Sequence, residues 1–230
     1  MSLAKDIYHL FFPPLCASCG SLLVGSEHNL CTKCFLSLPM MHNAGIEHNV
    51  IEQRFLSLVP CQSAMSFLDF KQGNTTQKVI HQIKYHGNIS LAHTMGRLMG
   101  QELLDSGRFG SCDLLLPVPL HWRKQLSRGY NQSEEICRGI VQKLPIPISK
   151  GDVIRSRYTK TQTRKKSGER LDNMDQVFEI RHKKALVGHH ILVVDDVLTT
   201  GATLLSVCKL LADLPNTRIS IATLAMATPS

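Results

Sequence analysis

The chain has 230 residues, of which 43% are hydrophobic, and a formal net charge of +8 at pH 7. This length and hydrophobic content suffice for a folded core and argue against a disordered chain. No apolar run approaches the roughly 18 residues that a membrane-spanning helix needs, and residues 1–16 lack the cleavage site of a secretory signal. We therefore expect a cytoplasmic protein without a transmembrane segment, whose positive charge favours an anionic partner such as nucleic acid, a phosphate ester or pyrophosphate.

Four of the eight cysteines form two closely spaced pairs near the amino terminus, "CASC" and "CTKC". This is the spacing with which four thiolates surround one zinc ion. Disulfides are the alternative, but an intracellular protein keeps its thiols reduced, which favours zinc. The sequence thus predicts a zinc-binding module over residues 1–45, too small to fold on apolar burial alone, and a linker over residues 46–62. The predicted zinc ligands are Cys16, Cys19, Cys31 and Cys34.

Alternating hydrophobic patterns begin at residue 63 and indicate a second domain over residues 63–230. "SAMSFLDF" predicts a strand, "TTQKVIHQIKY" a short helix and "SLAHTMGRLMGQELLDSG" a longer amphipathic helix that ends at Gly107. "DLLLPVP" is a short apolar run bounded by proline, as in a strand that is buried on both faces. "NQSEEICRGIVQKL" predicts a helix, with Asn131 and Glu134 at the spacing of a capping box.

The remaining segments continue the alternation of strands and helices. "DVIRSR" is a candidate strand, and "HHILVVDD" has the strongest buried-strand pattern of the chain. "TGATLLSVCKLLADL" is helical as far as Pro215, and "RISIATLAMA" predicts a last strand. Such alternation implies right-handed crossovers. The predicted fold class is therefore α/β, with a mostly parallel sheet covered by helices on both faces.

Two adjacent acids, Asp195 and Asp196, lie at the end of the strand predicted from "HHILVVDD". Ligands of an open parallel sheet bind beyond the carboxyl ends of its strands. Residues 199–203, "TTGAT", then form a strand-to-helix turn in which glycine permits close backbone approach and amides face an anion. The acids would repel phosphate, so they suit ribose hydroxyls or a hydrated magnesium ion, and a ribose 5-phosphate matches both ends. A capped turn without a ligand would explain Gly201 and one threonine, but not two acids.

This stretch resembles the phosphoribosyl pyrophosphate signature of the type I phosphoribosyltransferases: a hydrophobic strand, two acids, a spacer and hydroxyl-hydroxyl-Gly-x-hydroxyl. By that resemblance, Asp195 and Asp196 hold the 2- and 3-hydroxyls of the ribose. The resemblance also implies a type I phosphoribosyltransferase fold and magnesium bound together with phosphoribosyl pyrophosphate. The residues implied for the 5-phosphate are Thr199, Thr200, Gly201, Ala202 and Thr203.

The resemblance narrows to the ComF competence family, whose members carry a zinc-finger-like module ahead of a phosphoribosyltransferase domain. It rests on the four cysteines, on "PVPLHWRKQLSRGYNQ" at residues 117–132, on "RSRYTKTQ" at residues 155–162 and on "IKYHGN". The family pattern implies a pyrophosphate loop after "PVPL", a lid around "RSRYTKTQ" and a role in DNA uptake. The residues implied for the loop and lid are Lys84, Pro119, Leu120, Arg123, Arg128, Arg157, Thr159 and Gln162.

Basic residues are concentrated between residues 155 and 170, where seven of them accompany one acid, a net charge of +6. This suits a lid over pyrophosphate, because positive side chains stabilise the charge that develops on the leaving group. An ordinary solvated run of charge is the alternative. Trp122 and Tyr130 flank further basic side chains, and they would either stack on single-stranded nucleic acid or anchor their own loop.

Two functional hypotheses follow. In the first, the protein is an enzyme that transfers ribose 5-phosphate from phosphoribosyl pyrophosphate to an unidentified acceptor. Its general base is unassigned, because Thr199 stands where purine-salvage enzymes commonly have an aspartate. In the second, it is a non-catalytic protein of the same fold that binds single-stranded DNA, with other proteins of the uptake machinery. Since the chain ends soon after its last predicted strand, we further hypothesise that the zinc module covers the mouth of the phosphoribosyl site.

Overall fold

The computed structural model describes residues 12–156 and 177–227. The helices in these ranges are α1 (Thr32–Leu36), α2 (Val50–Phe55), α3 (Thr75–Tyr85), α4 (Ile89–Asp105), α5 (Trp122–Arg128), α6 (Gln132–Ile140) and α7 (Ala202–Ala212). The strands are β1 (Cys61–Phe70), β2 (Leu114–Pro117), β3 (Val153–Arg155), β4 (Phe178–Ile180), β5 (His190–Leu198) and β6 (Arg218–Ala227).

The main sheet has four parallel strands in the order β1-β6-β5-β2. Its strands contain long buried runs: β6 is buried from Ile219 to Met226, β1 from Ser63 to Leu68 and β5 from His190 to Val194. Such runs are required where helices cover both faces of a parallel sheet. The predicted α/β fold with a mostly parallel sheet is confirmed.

Side chains of β5 alternate between two hydrophobic cores, one on each face of the sheet. Leu192 and Val194 pack in a core that includes residues of α3, α4 and α6. Ile191 and Val193 pack in the other core, with residues of α2 and α7. The alternation follows from the two-residue period of a strand. It fixes which helices each polar side chain at the end of β5 approaches.

Two predicted details differ from the structure. The segment "DVIRSR" forms β3, but β3 pairs antiparallel with β4 in a separate two-stranded sheet. Of its three residues only Val153 is buried, so it lacks the apolar run of a strand covered on both faces. The capping box does not form either. Asn131 accepts from the Ser133 amide, whereas the Glu134 carboxylate accepts from Arg138, one turn along α6.

Residues 46–62, predicted as a linker, include the helix α2. Ile51 and Phe55 of this helix are 0% and 1% exposed, because they pack in the core with α7. Asn49 caps the helix by accepting from the Ile51 amide, and its own side chain donates to the carbonyl of Ala64 in β1. The segment is therefore bonded to the edge of the main sheet.

Residues 12–45 pack against the face of the sheet that carries α4. Cys34 is buried in the same core as Phe67 of β1. The side chain of Asn29 donates to the hydroxyl of Thr94 on α4 at 2.9 Å. The cysteine-containing segment thus shares a core with the second domain. None of the helices within the described ranges is long and apolar enough to cross a membrane.

Candidate functional site

Asp195 and Asp196 lie near the carboxyl end of β5, an interior strand of the sheet. Asp196 has the same parity along the strand as Val194, whose face is covered by α3. Lys84, the penultimate residue of α3, therefore reaches this acid, and its Nζ lies 3.0 Å from Oδ1 of Asp196. Only 20% of the lysine side chain and 14% of the aspartate side chain are exposed. Since the pair is shielded from water, its attraction exceeds that of a surface pair.

The neighbouring acid, Asp195, is also partly buried. Its Oδ1 accepts from the hydroxyl of Ser133 at 3.1 Å and from the backbone amide of Asp196 at 2.9 Å. Burial, and then the negative charge of Asp196, raise its pKa well above the usual range, although Lys84 acts in the opposite direction. Two adjacent carboxylates held in this way are costly to the protein on its own.

In the turn after β5, the glycine between the strand and α7 has a left-handed backbone conformation. Gly201 has a φ of +83°, which glycine adopts without a steric penalty. The carbonyl of Thr199 accepts from Nη1 of Arg54 in α2 at 2.9 Å, so α2 supports the turn. The turn encloses a small hollow of about 20 Å³, lined by residues 197–204 and Asp195. Amides and hydroxyls that surround a hollow at a helix start suit an anionic group.

A cavity of about 510 Å³ lies beside the acid pair, and we call it the ligand cavity. Four basic side chains line it with the two acids: Lys84, Lys124, Arg128 and Arg155. The pKa of Lys124 is lowered from its usual value, first by burial and then by the positive charges of the other three. Cations that perturb one another in this way create a strongly positive field. The ligand cavity therefore suits a polyanion at one end and hydroxyl groups at the other.

Arg128 is oriented by two neighbours. Its Nη1 donates to Oε1 of Gln132 at 2.9 Å, and its guanidinium lies 5.5 Å from the ring centre of Tyr85. Gln132 is 1% exposed and lines the ligand cavity, yet its Nε2 has no hydrogen-bond partner among the described residues. A buried donor without a partner is unfavourable unless a ligand or water satisfies it.

The structure brings most of the residues predicted for the site together. Those that line the ligand cavity are Lys84, Pro119, Leu120, Arg128, Asp195, Asp196, Thr199 and Thr203, whereas Thr200, Gly201 and Ala202 line the adjoining hollow. Arg123 is not among the lining residues, and its guanidinium lies 5.2 Å from the ring centre of Trp122. Arg157, Thr159 and Gln162 fall outside the described residues.

Sequence reasoning missed several residues that shape the site. Ser133 and Gln132 come from the first turn of α6, and Arg54 comes from α2. Arg155, at the end of β3, was predicted only as part of the basic lid stretch, and it lines the ligand cavity. Only Ser133 and Gln132 had a local signal, since they follow the predicted helix cap in "NQSEE". The zinc module was hypothesised to cover the mouth of the site, whereas residues of α3 line the ligand cavity. No described residue of segment 12–45 lines the ligand cavity.

The four amino-terminal cysteines converge on one point. Their Sγ atoms all lie within 4.8 Å of one another, and those of Cys19 and Cys31 are 3.7 Å apart. Tetrahedral zinc with Zn–S distances of about 2.3 Å requires sulfur atoms about 3.8 Å apart, so the cluster fits this ion. Hydrogen bonds between Cys19 and Ser21 lower the pKa of the Cys19 thiol to about 6, which favours the thiolate that zinc binds.

The acid pair also fits the preference of magnesium for hard oxygen ligands. Within the described ranges, Oδ2 of Asp195 and Oδ2 of Asp196 accept no hydrogen bond. These oxygens are available to a hydrated cation or to hydroxyl groups of a ligand.

Residues 131–229 match the model of the phosphoribosyl transferase domain. This stretch contains α6, the acid pair at the end of β5, the turn that follows it, and α7 and β6. The phosphoribosyltransferase resemblance predicted from the acids and the turn is therefore confirmed at the level of the domain.

The chain is also similar to named proteins over most of its length. It is 28% identical over 200 residues to "DNA utilization protein YhgH" of Escherichia coli (strain K12), covering 86% of this chain and 83% of that protein. It is 28% identical over 230 residues to "Competence protein F" of Haemophilus influenzae, covering 94% and 99%. A solved structure described as the allosteric regulatory enzyme of purine biosynthesis is 16% identical, with a TM-score of 0.40 over 62% of this chain and 30% of that one. The first two relatives confirm the ComF resemblance.

Proposed function

Because this chain is a homologue of Competence protein F with a phosphoribosyl transferase domain, we propose that it binds phosphoribosyl pyrophosphate together with magnesium. We further propose that it transfers ribose 5-phosphate to an acceptor. The observation that carries the proposal is the ligand cavity with its adjoining hollow, which together combine two carboxylates, a phosphate-type turn and four cations. No simpler anion uses both the acids and the cations.

Each part of the cavity has a distinct task in this proposal. Asp195 and Asp196 accept hydrogen bonds from the ribose hydroxyls, and residues 199–203 donate to the 5-phosphate. Lys124 and Arg128 face the pyrophosphate, which leaves as its bond to C1 of the ribose breaks and the acceptor bonds to C1. Positive side chains placed beforehand stabilise the charge on this leaving group. Bound magnesium would neutralise further negative charge on the phosphates.

Calorimetric titration of the zinc-loaded protein with phosphoribosyl pyrophosphate tests the proposal directly. We expect binding that depends on magnesium and that weakens by at least about tenfold in Asp195→Asn/Asp196→Asn, because two charged acceptors are lost. Asp213→Asn, a change at an exposed acid beyond α7, is the matched control and should bind like the wild type. Absence of binding by the folded wild type would overturn the proposal. Release of pyrophosphate with candidate acceptors then measures turnover.

The cysteine cluster supports a structural role for zinc in the segment 1–45. Four thiolate ligands complete a tetrahedral site and leave no position for a substrate. The proposed zinc ion would therefore stabilise the fold of this segment rather than take part in transfer.

We also propose that the protein works in DNA uptake, because its relatives are named for competence and for DNA utilization. The supporting observation on this chain is the net charge of +6 between residues 155 and 170. Direct contact with single-stranded DNA predicts binding that weakens steeply with salt. Arg164→Gln/Lys165→Gln/Lys166→Gln should weaken it, whereas a control triple change at Lys143, Lys183 and Lys184 should not. Equal binding by both variants would argue against direct contact.

A further inference from the structure

A second cavity, which we call the edge cavity, adjoins the edge strand β2. Its volume is about 650 Å³, within the range of small-molecule sites. The end of β2, the start of α5, residues 149–151 and residues 153–156 form its walls. The two cavities are neighbours, because four residues line both of them: Pro119, Leu120, Asn131 and Arg155. Neither of the two acids lines the edge cavity, which distinguishes it from the proposed phosphoribosyl site.

Basic side chains outnumber acidic ones among the described lining residues of the edge cavity. Lys150, Arg155 and Arg181 line it, and Glu134 is the one acidic side chain among its described lining residues. The Glu134 carboxylate already accepts from Arg138 at 2.8 Å. The excess positive charge therefore favours an anionic group.

An exposed aromatic ring lies beside these charges. Trp122, the one tryptophan of the chain, begins α5 and lines the edge cavity with 56% of its surface exposed. Core packing does not account for it, because no residue of α5 is buried. The guanidinium of Arg123 lies 5.2 Å from the ring centre, which is cation–π geometry. An accessible indole next to cations offers a stacking surface for a planar base.

We propose that the edge cavity binds a nucleoside monophosphate, with its base on Trp122 and its phosphate at Lys150 and Arg181. The volume suits one such molecule. Trp122 is the one aromatic ring among the described lining residues, whereas a nucleic-acid strand needs successive stacking surfaces. The proposal does not depend on binding of phosphoribosyl pyrophosphate, since the acid pair lies in the other cavity.

Fluorescence of the single tryptophan reports on this cavity directly. We expect AMP and UMP to change the emission of the zinc-loaded, full-length protein in a saturable way, and ribose 5-phosphate, which lacks a base, to leave it unchanged. Lys150→Met/Arg181→Met should weaken nucleotide binding by about tenfold or more, because both charges face the phosphate. Lys143→Met/Lys209→Met removes the same charge from exposed positions elsewhere and should bind like the wild type.

Three results would overturn the proposal. The first is no saturable change with either mononucleotide. The second is equal affinity in the Lys150→Met/Arg181→Met variant and its control. The third is a response to a short single-stranded oligodeoxythymidylate but not to AMP or UMP, which would assign the surface to a strand instead.

Discussion

At the scale of single residues, the charged form of Asp195 lowers the stability of the fold. Burial and Asp196 raise its pKa. An acid whose pKa is higher in the folded than in the unfolded state contributes stability that is fully present below the unfolded pKa. That contribution is lost as the pH rises through the folded pKa. The wild type should therefore lose stability from about pH 4 towards neutral pH through this one group.

We expect Asp195→Asn to remove this loss. The free energy of unfolding of the variant, relative to that of the wild type, should rise with pH to a gain on the order of 2 kcal/mol at about pH 8. Urea denaturation of the ligand-free proteins at several pH values measures it. Asp213→Asn, at an exposed position, should show no such trend. A variant that is less stable than the wild type at high pH would mean that the fold itself needs the carboxylate.

Lys84 and Lys71 allow a matched comparison of two ion pairs. Each Nζ lies 3.0 Å from an aspartate oxygen, but 20% of the Lys84 side chain is exposed against 68% of Lys71. Lys84→Met leaves the Asp196 charge beside Asp195 in a shielded position, and we expect a loss of about 2 kcal/mol in urea denaturation. Lys71→Met should cost less than about 1 kcal/mol, because exposed pairs contribute little. Equal losses would show that the Asp196 carboxylate is stabilised without Lys84.

At the scale of secondary-structure elements, α4 and α6 pack with their backbones in direct contact. A Cβ on Gly139 would lie 2.8 Å from the Arg97 amide, and one on Gly100 would lie 2.8 Å from the Ile140 carbonyl. The contact fixes α6, whose first turn supplies Ser133 to the acid pair. These glycines are thus required by the packing of two helices.

We expect Gly139→Ala to destabilise the protein by about 3 kcal/mol. The atoms that the new Cβ would meet are backbone atoms, which cannot rotate away. Thermal denaturation followed by circular dichroism measures the loss. Gly110→Ala is the control, since the nearest atom to its new Cβ would be 3.9 Å away. Two variants with the same melting temperature would contradict the close helix contact.

The elements that were predicted correctly have strong patterns of their own. The buried runs of β5 and β6 and the long amphipathic helix α4 are visible in the sequence because burial sets their composition. Three short helices were missed, of which α1 has only five residues. α5 has no buried residue and hence no periodic signal, and α2 has only six residues. The burial of α2 depends on contacts with elements that are distant in the sequence.

The residues of the site fall into the same two groups: those with a local sequence pattern and those without one. The acid pair and the turn are contiguous, so their chemistry was apparent in "VVDDVLTTGAT". Lys84 was found only through the family resemblance. Ser133 and Arg54 had no role predicted, because the fold alone brings them to the end of β5. Local sequence carries no signal of such long-range contacts.

At the scale of the whole molecule, the cysteine-containing segment braces the helices behind the ligand cavity. The hydroxyls of Ser37 and Thr75, the first residue of α3, are 3.0 Å apart. Asn29 donates to Thr94 on α4. Since α3 carries Lys84, the cluster is connected to the acid pair through one helix, although it does not line the cavity.

Removal of the proposed zinc ion should therefore affect both stability and the proposed ligand binding. We expect a chelator to lower the melting temperature by roughly 10 °C, because metal binding supplies folding free energy to a segment that is too small to fold alone. Binding of phosphoribosyl pyrophosphate should weaken as well, since α3 loses its support. Circular dichroism and calorimetric titration measure the two effects. Cys19→Ser, which lacks one of the four ligands, should have a reduced response to the chelator. If zinc leaves without changing the melting temperature or the affinity, the segment does not brace α3, and the position of Lys84 depends on the sheet and α4 alone.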